Sequence, residues 1–256
     1  MTPWVIAASG LLGMVFGSFF NVVIDRVPQR QSVVTPGSHC DACGRLLAAW
    51  ELVPVLSYAA LGGRCRSCHA PIPVRIPLIE LVSGLLFALA TWRSLSGVEW
   101  SLSGWLCDIG FLSTLLILTV TDLEQRLIPD AVTGPAAVWG AVWGGLSLRG
   151  EFVGHLLTAV AAFLLFLLIA WLSRGGMGGG DVKLAGILGL YLGLVPTVVA
   201  LFAGVVLGGL AGAVLLAARR RGPRDMLPFG PFLAVGGLVG WLAGQPLWAA
   251  YMTLLR

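Results

Sequence analysis

The stretch FVGHLLTAVAAFLLFLLIAWLS, at residues 152–173, decides the fold class of this chain. It contains no Asp, Glu, Lys or Arg, and a helix needs about 20 predominantly apolar residues to cross the hydrocarbon core of a bilayer. The whole chain shares this character, because 57% of its residues are hydrophobic and only 11% are charged. An average soluble domain has about 25% charged residues. The sequence therefore predicts an all-α polytopic membrane protein.

Similar apolar runs on both sides of this stretch predict about eight transmembrane helices. One shorter run, at 182–195, is counted because it follows a glycine-rich loop and completes the topology. No Lys or Arg precedes the first run, so that run lacks the charge pattern of a cleaved signal peptide. The longer runs lie near residues 4–24, 76–93, 103–121, 128–148, 152–173, 197–218 and 228–246.

The distribution of the 16 basic residues predicts the orientation of the chain, because cytoplasmic loops carry an excess of Lys and Arg. If the N-terminus is outside, 13 of them fall on the cytoplasmic side and three, Arg93, Arg149 and Arg256, fall on the other. Both termini are therefore expected outside the cytoplasm. The basic run RRRGPRD, at 219–225, is interpreted as a topological anchor, and no nucleic-acid partner is expected despite a net charge of +4.

One sizeable polar stretch, residues 25–75, interrupts the apolar runs. It separates a first transmembrane helix, residues 1–24, from a transmembrane domain, residues 76–256, and is expected to be a cytoplasmic domain. About 50 residues are too few for a robust hydrophobic core, so a domain of this size needs an additional cross-link, such as a structural metal or disulfides.

Two C-x-x-C pairs, CDAC at 40–43 and CRSC at 65–68, are candidates for this cross-link. They are separated by 21 residues, just beyond the usual spacing of a zinc ribbon, and four thiolates can hold one tetrahedral Zn²⁺. Two disulfides are the alternative, although thiols stay reduced in the cytoplasm. His39 and His69 adjoin cysteines and can also ligate a metal, whereas Cys107 is expected to be a small buried apolar residue. The predicted zinc ligands are Cys40, Cys43, Cys65 and Cys68.

Two aspartates lie at the ends of predicted transmembrane helices. Asp122 follows the run 103–121, and Asp181 follows GGMGGG at 175–180 and opens the run 182–195. Because these helices cross in opposite directions, both carboxylates are expected at the cytoplasmic face. Two carboxylates in a semi-dry site share one proton, and such a pair can activate water and protonate a carbonyl oxygen, as in aspartic proteases. A helix cap at Asp181 and an interfacial role for Asp122 are the alternatives.

Other residues are candidates for supporting roles. Gly178 and Gly180 have no side chains, so that a substrate backbone can approach the second aspartate closely. Lys183 is expected to balance the charge of that aspartate. Glu80 lies early in the second apolar run, where a carboxylate is costly and therefore indicates a functional role. Asp130, in the segment LIPD, is expected at a turn and helix start.

Six motifs, in their order and spacing, resemble the type IV prepilin peptidases over nearly the whole chain. Each motif alone is weak, and together they are specific. They are GSFFNVVIDRVP (17–28), WELVPVLSYAALGGRCRSC (50–68), RIPLIELVSG (75–84), TDLEQRLIPD (121–130), MGGGDVKLAG (177–186) and LPFGPFLA (227–234).

The resemblance implies a bifunctional enzyme of the bacterial inner membrane, with a periplasmic N-terminus and an active site at the cytoplasmic face. Such an enzyme cleaves the leader of type IV prepilins and type II secretion pseudopilins. It then N-methylates the new N-terminal residue with S-adenosylmethionine, an activity attributed to the segment 25–75. Leu52, Val53 and Asp25 depart from the family pattern in or beside this segment.

The same resemblance assigns roles to residues. It implies that Asp122 and Asp181 are catalytic and that the four cysteines hold zinc. Residues in a supporting role are then Gly178, Gly180, Lys183, Glu80 and, in the last motif, Gly230.

Three other classes of protein remain open from the residues alone. One is another G-x-G-D intramembrane protease. The second is an ion transporter, which would carry its carboxylates near the bilayer centre beside broken helices. The third is a zinc-stapled membrane assembly factor without chemistry.

Overall fold

The protein is all-helical in the parts that the computed structural model describes, residues 2–97, 100–173, 177–218 and 228–254. No strand occurs in these ranges, which contain two isolated β-bridges and two short 3-10 turns. The α-helices are α1 (Thr2–Arg26), α2 (Leu56–Ala60), α3 (Arg75–Ser96), α4 (Leu102–Gln125), α5 (Asp130–Leu148), α6 (Phe152–Leu172), α7 (Gly179–Leu192), α8 (Leu194–Ala217) and α9 (Gly230–Leu254). The predicted all-α class is confirmed.

Six of these helices, α1, α3, α4, α6, α8 and α9, are long and apolar enough to cross a membrane. The most apolar windows of α6 and α8 are only 17% and 11% buried within the protein, so most of their side chains are left for lipid. The remaining two predicted runs also form helices. However, α7 has 14 residues, and a helix of that length spans about 21 Å. A multi-pass membrane protein is confirmed, whereas the count of eight spans stays a prediction.

Two compact units divide the described chain, Met1–Ser101 (unit 1) and Leu102–Arg256 (unit 2). In unit 1, α1 packs along α3. Hydrogen bonds from Arg26 to the Pro36 carbonyl and from the Val55 N–H to Glu80 tie the polar stretch between them to both helices. Small residues allow the close packing, since a Cβ on Gly17 would lie 2.7 Å from the Cα of Glu80. The predicted boundaries followed polarity, whereas this grouping follows packing.

Unit 2 brings three helix ends together. α4 packs against α5 and α9, and α7 packs against α5, α6 and α9. Leu118, Leu188 and Leu233, from α4, α7 and α9, are fully buried at the centre of this unit. As a result the end of α4, the start of α7 and the start of α9 meet at one side of the unit.

Candidate active site and metal centre

Asp122 lies in the last turn of α4 and faces the protein interior, with 6% of its surface exposed. After α4 ends, Arg126 adopts a left-handed conformation (φ 53°) and donates its N–H to the Asp122 carbonyl at 2.9 Å. This bond closes the helix end. The Asp122 side chain accepts through Oδ2 a hydrogen bond of 2.9 Å from the N–H of Gly230, the first residue of α9. The N-terminus of α9, where a helix dipole favours negative charge, therefore holds this carboxylate.

Asp181 lies in the first turn of α7 and is 8% exposed. Its Oδ2 accepts the N–H of Gly178 at 3.3 Å, and its own N–H donates to the Gly178 carbonyl at 3.1 Å. Gly178 is the N-cap of α7, and because glycine has no side chain, only the contact from the Asp181 carboxylate to the N-cap N–H resembles a capping box. A capping contact of Asp181 is thus present, and it engages one oxygen of the carboxylate.

The two aspartates belong to one site. Their carboxyl groups are close enough to interact electrostatically. Ile128, buried between α4 and α5, connects their surroundings, since it lies against Gly180 beside one aspartate and against Gly230 beside the other. The sequence predicted that both carboxylates lie at helix ends on the same side of the protein. In the fold, the end of α4 and the start of α7 lie together.

Lys183 does not accompany Asp181, contrary to the expectation from their proximity in sequence. Its Nζ pairs with Asp130, the first residue of α5, and both side chains are substantially exposed. Residues two positions apart on a helix point in different directions, so Lys183 faces away from the pair of aspartates. An exposed ion pair of this kind contributes little to stability. Asp130 does begin a helix, as predicted.

The glycines beside Asp181 have different surroundings. A Cβ on Gly180 would lie 2.5 Å from the Cβ of Ile128, so this glycine is required for internal packing. A Cβ on Gly179 would meet no atom within 4 Å, and one on Gly178 would meet the Asp181 carboxylate at 3.4 Å. Space for a substrate backbone thus exists at Gly178 and Gly179, while residues 175–176 lie outside the described ranges.

Glu80 lies in unit 1, early in α3, and is 5% exposed. Its Oε2 accepts a hydrogen bond of 2.7 Å from the N–H of Val55, and its carboxylate also binds the Ser18 hydroxyl. Val55 is a β-branched residue in a positive-φ conformation (φ 61°), which is a genuine outlier for such a side chain. Glu80 therefore holds a strained turn of the polar stretch against the helix pair.

The four cysteines predicted as metal ligands converge in unit 1. Their Sγ atoms all lie within 4.8 Å of one another, with 3.7 Å between Cys40 and Cys68. Tetrahedral coordination with metal–sulfur bonds of 2.3 Å places sulfurs about 3.8 Å apart, so the geometry fits one metal ion. The thiols are free, which removes the alternative of two disulfides. Cys107 is buried in α4, as expected.

The two C-x-x-C segments form matching turns. The N–H of Cys40 donates to the Arg45 carbonyl, and that of Cys65 to the Ala70 carbonyl, each at 2.9 Å. The residue after each second cysteine, Gly44 (φ 69°) or His69 (φ 56°), is left-handed. His69 thus occupies the backbone position of a turn glycine, and neither it nor His39 belongs to the metal-ligand cluster among the described residues.

Backbone hydrogen bonds favour the thiolate form of one cysteine in the cluster. The N–H groups of Cys68 and Ser67 donate to the Cys65 thiol and lower its pKa to about 6, and a thiolate is the form that a metal requires. The pKa of Cys68, in contrast, is raised to about 11. Arg45 forms a bidentate pair with the buried Glu51, at 2.6 and 3.0 Å. Hydrogen bonds from Arg45 and the Ala48 N–H hold the pKa of Glu51 below its usual value. This pair fixes the backbone between the first C-x-x-C turn, at residues 40–43, and α2.

Chemically, the site in unit 2 is a pair of buried carboxylates, each held by a glycine N–H. Such a pair can hold one proton between two groups and so provide an acid and a base together. The aspartates occupy helix ends rather than the middle of broken helices, which disfavours the transporter alternative.

Sequence reasoning missed the contacts of two residues. The first is Gly230, whose N–H orients Asp122 from 108 positions away. The second is Ile128, an apolar residue in the short connection between α4 and α5. The available signal was its apolar character, because an apolar residue in a short connection between a helix end and Pro129 needs a packing partner.

Two family models match the chain. The model of the bacterial peptidase A24 N-terminal domain matches residues 11–94, and that of the type IV leader peptidase family matches residues 109–213. No solved structure was found to match.

Curated relatives match over nearly the whole chain. Prepilin leader peptidase/N-methyltransferase of Bacillus subtilis (strain 168) is 34% identical over 95% of this chain and 96% of that protein. A protein of the same name from Burkholderia pseudomallei (strain 1026b) is 38% identical over 93% of this chain and 85% of its own length. The relative of that name from Neisseria gonorrhoeae is 33% identical, over 98% and 94% respectively.

A helical membrane protein with two adjacent buried aspartates has the parts of a membrane aspartic peptidase. The comparisons above narrow this class of membrane peptidases to one family. The chain belongs to the type IV leader peptidase family.

Proposed function

We propose that this protein cleaves the leader peptide from prepilins and N-methylates the N-terminal residue that cleavage exposes. The observation that carries the proposal is the pair Asp122 and Asp181, two buried carboxylates at helix ends whose neighbouring glycines, Gly180 and Gly230, both pack against Ile128. The name that these relatives share supplies both activities. We extend the substrates to type II secretion pseudopilins.

In the cleavage step, one carboxylate of the pair accepts a proton from water while the water oxygen attacks the scissile carbonyl. The other carboxyl group protonates the carbonyl oxygen. When the tetrahedral intermediate collapses, the carbon–nitrogen bond breaks and a proton passes to the leaving amine. The glycine N–H bonds to each carboxylate keep one oxygen of each occupied and leave the other for this exchange.

The experiment uses the full-length protein in liposomes with a full-length prepilin. Cleaved product should appear without any additive, and the product should gain one methyl group only when S-adenosylmethionine is present. An intact prepilin after long incubation with well-folded protein would refute the function.

S-adenosylmethionine would supply the methyl group. Unit 1 contains a cavity of about 210 Å³ between α1 and the polar stretch, lined in part by Phe19 and Ser18. We assign methyl transfer to unit 1, as the resemblance implies for segment 25–75.

The four cysteines are proposed to hold a structural Zn²⁺. Thiolate ligands in a tetrahedral set of this size select zinc or an iron–sulfur centre, and two short knuckles around one point are typical of zinc ribbons. The four sulfurs leave no ligand position for a catalytic water.

The proposed topology has eight spans in a bacterial inner membrane, with both termini in the periplasm and the aspartates near the cytoplasmic face. A reporter enzyme fused after residue 256 should then be periplasmic, and one fused at residue 223 cytoplasmic. The opposite pattern would exclude this orientation.

Gly230→Ala is expected to lower cleavage about 100-fold while the protein stays folded. A Cβ at this position would lie 2.7 Å from Oδ2 and 3.1 Å from Cγ of Asp122, so the carboxylate has to move, and misplacement of about 1 Å has a cost of this order. The measurement is kcat/KM for prepilin cleavage. Gly209→Ala is the matched control, because a Cβ there meets nothing within 4 Å. Equal activity of the two variants would contradict the role of Gly230.

A further inference from the structure

Glu80 differs from the other carboxylates in the described part of unit 1. Glu51 is paired with Arg45, and Asp25 with Arg75 at 2.7 and 2.8 Å. Asp41 is exposed to solvent. The partners of Glu80 are neutral, the N–H of Val55 and the hydroxyl of Ser18. Burying an ionised carboxylate whose partners are all neutral costs free energy. Such groups are concentrated at functional sites.

Unsatisfied acceptors accompany Glu80 at the packing surface of α1 and α3. Asn21 is 6% exposed and donates from Nδ2 to the carbonyls of Gly17 and Ile76, but its Oδ1 has no hydrogen-bond partner among the described residues. Ser83, one turn after Glu80 and 1% exposed, has an unpartnered Oγ in the same sense. The seam between α1 and α3 beside Glu80 therefore holds two buried polar atoms without a partner among the described residues.

Ser18 connects this seam to the cavity of about 210 Å³ in unit 1, because it lines the cavity and binds Glu80. The other walls include apolar side chains, Phe19, Val22 and Val33. Val34, which also lines the cavity, is 78% exposed, so the cavity is open there. Arg26 also lines it, but its guanidinium binds the backbone carbonyls of the surrounding loop, those of Ser32, Pro36 and Gly37.

We propose that this cavity receives the N-terminal amine of the cleaved pilin and that Glu80, through the Ser18 hydroxyl, accepts its proton for methyl transfer. The inference rests on the proposed N-methyltransferase function. A cationic group with an adjoining apolar side chain matches an acceptor at one end of the cavity and apolar walls beside it.

Proton removal is required by the chemistry of the step. An α-amino group has a pKa near 7.7–8.0 and is largely protonated at neutral pH, and an ammonium nitrogen has no electron pair with which to attack carbon. In the step, the ammonium gives a proton to the Ser18 oxygen as Ser18 gives its own to the Glu80 carboxylate. The amine nitrogen then forms a bond to the methyl carbon of a sulfonium donor, and the carbon–sulfur bond breaks with its electron pair left on sulfur. The products are a methylammonium, a thioether and a protonated Glu80, which returns its proton to solvent.

Anchoring of Val55 is the structural alternative for Glu80. Glu80→Gln distinguishes the two roles, because the amide oxygen still accepts the Val55 N–H, whereas the amide cannot take up a proton. Ser18→Ala interrupts the connection to the cavity without touching Val55. Glu151→Gln, at an exposed carboxylate in unit 2, is the matched control.

The first measurement is binding of a mature-pilin N-terminal peptide to the full-length protein in detergent, with its amine free or acetylated. The wild type should prefer the free amine by about tenfold, which is typical of a hydrogen bond to a charged group. Glu80→Gln should lose this preference, and Glu151→Gln should keep it.

The second measurement is methyl transfer from labelled S-adenosylmethionine between pH 6 and 9. Glu80→Gln should be about 100-fold slower than the wild type at pH 7, in the range for loss of a general base, and should recover toward pH 9 as the amine loses its proton unaided. The charged groups on the elements packed against Glu80 are Asp25 and Arg26 on α1 and Arg75 and Arg93 on α3. The segment 53–55 has none.

Peptidase activity and metal content separate this inference from the proposed function. Glu80→Gln with normal cleavage, normal zinc content and lost amine preference supports it, and slower methyl transfer by Ser18→Ala supports it further. Wild-type methyl transfer and amine preference in Glu80→Gln would overturn it, as would joint loss of cleavage, zinc and methylation in that variant beside full methylation in Ser18→Ala. A wild-type protein that neither cleaves nor methylates would instead refute the proposed function.

Discussion

Asp181→Asn is expected to lower cleavage of a full-length prepilin by about a thousandfold or more, and Asp122→Asn by a similar factor. Loss of a positioned acid or base costs typically 10²–10⁴ in rate. Asparagine keeps the shape of the side chain and can still accept the N–H of Gly178 or Gly230 through its amide oxygen. It cannot take up or deliver the proton that the pair shares. Initial rates in liposomes, at saturating and subsaturating prepilin, measure the loss.

The double variant should be little slower than either single variant, because groups that act as one unit are strongly non-additive. Asp130→Asn is the matched control. This aspartate is also beside the site in sequence, but it is exposed and paired with Lys183, and loss of an exposed pair costs about 1 kcal/mol or less. Methylation of an already cleaved pilin should persist in both single variants. Substantial cleavage by Asp181→Asn would show that the Asp181 carboxylate is not catalytic and only caps α7.

Replacement of all four knuckle cysteines by serine should remove the metal and unfold the polar stretch of unit 1. The purified wild type should contain about one zinc per chain, and metal binding of this kind contributes apparent free energies of about 10–16 kcal/mol to folding in small zinc domains. Cys43→Ser alone should lower the zinc content. Element analysis of the purified protein, with proteolysis of residues 25–75 as a probe of folding, gives the two readouts.

The fifth cysteine provides the control for this experiment. Cys107 is buried in α4 and does not belong to the cluster, so Cys107→Ser should retain a full complement of zinc. Full zinc retention by the quadruple variant would show that the cysteines are not the ligands. Cleavage that persists in the quadruple variant would indicate that unit 2 performs this reaction without the metal centre.

Hydropathy predicted the helices and cysteine spacing predicted the cluster, because both are patterns that can be read along the chain. The eight apolar runs coincide with α1 and α3 to α9, and the four cysteines of the two C-x-x-C pairs lie together as expected of ligands to one metal ion. The shared location of Asp122 and Asp181 followed from the alternating direction of successive spans.

Partners across helices were not predictable in this way. A sequence pattern indicates which face of a helix is buried, but the residue that lies opposite depends on the rotation and depth of a neighbouring helix. Lys183 was therefore assigned to Asp181 by proximity, whereas its helical direction pairs it with Asp130. For the same reason the N–H of Gly230 was not recognised as the donor to Asp122.

The hydrogen bond between Gly230 and Asp122 has a consequence for the time at which the enzyme becomes active. The two residues are separated by 108 positions, so a ribosome completes α4 to α8 before it makes the donor. During that interval the carboxylate lacks the contact that orients it, and the aspartates are present without being a working pair. We therefore expect a newly made chain to gain its full proteolytic activity only when the final helix has joined the others.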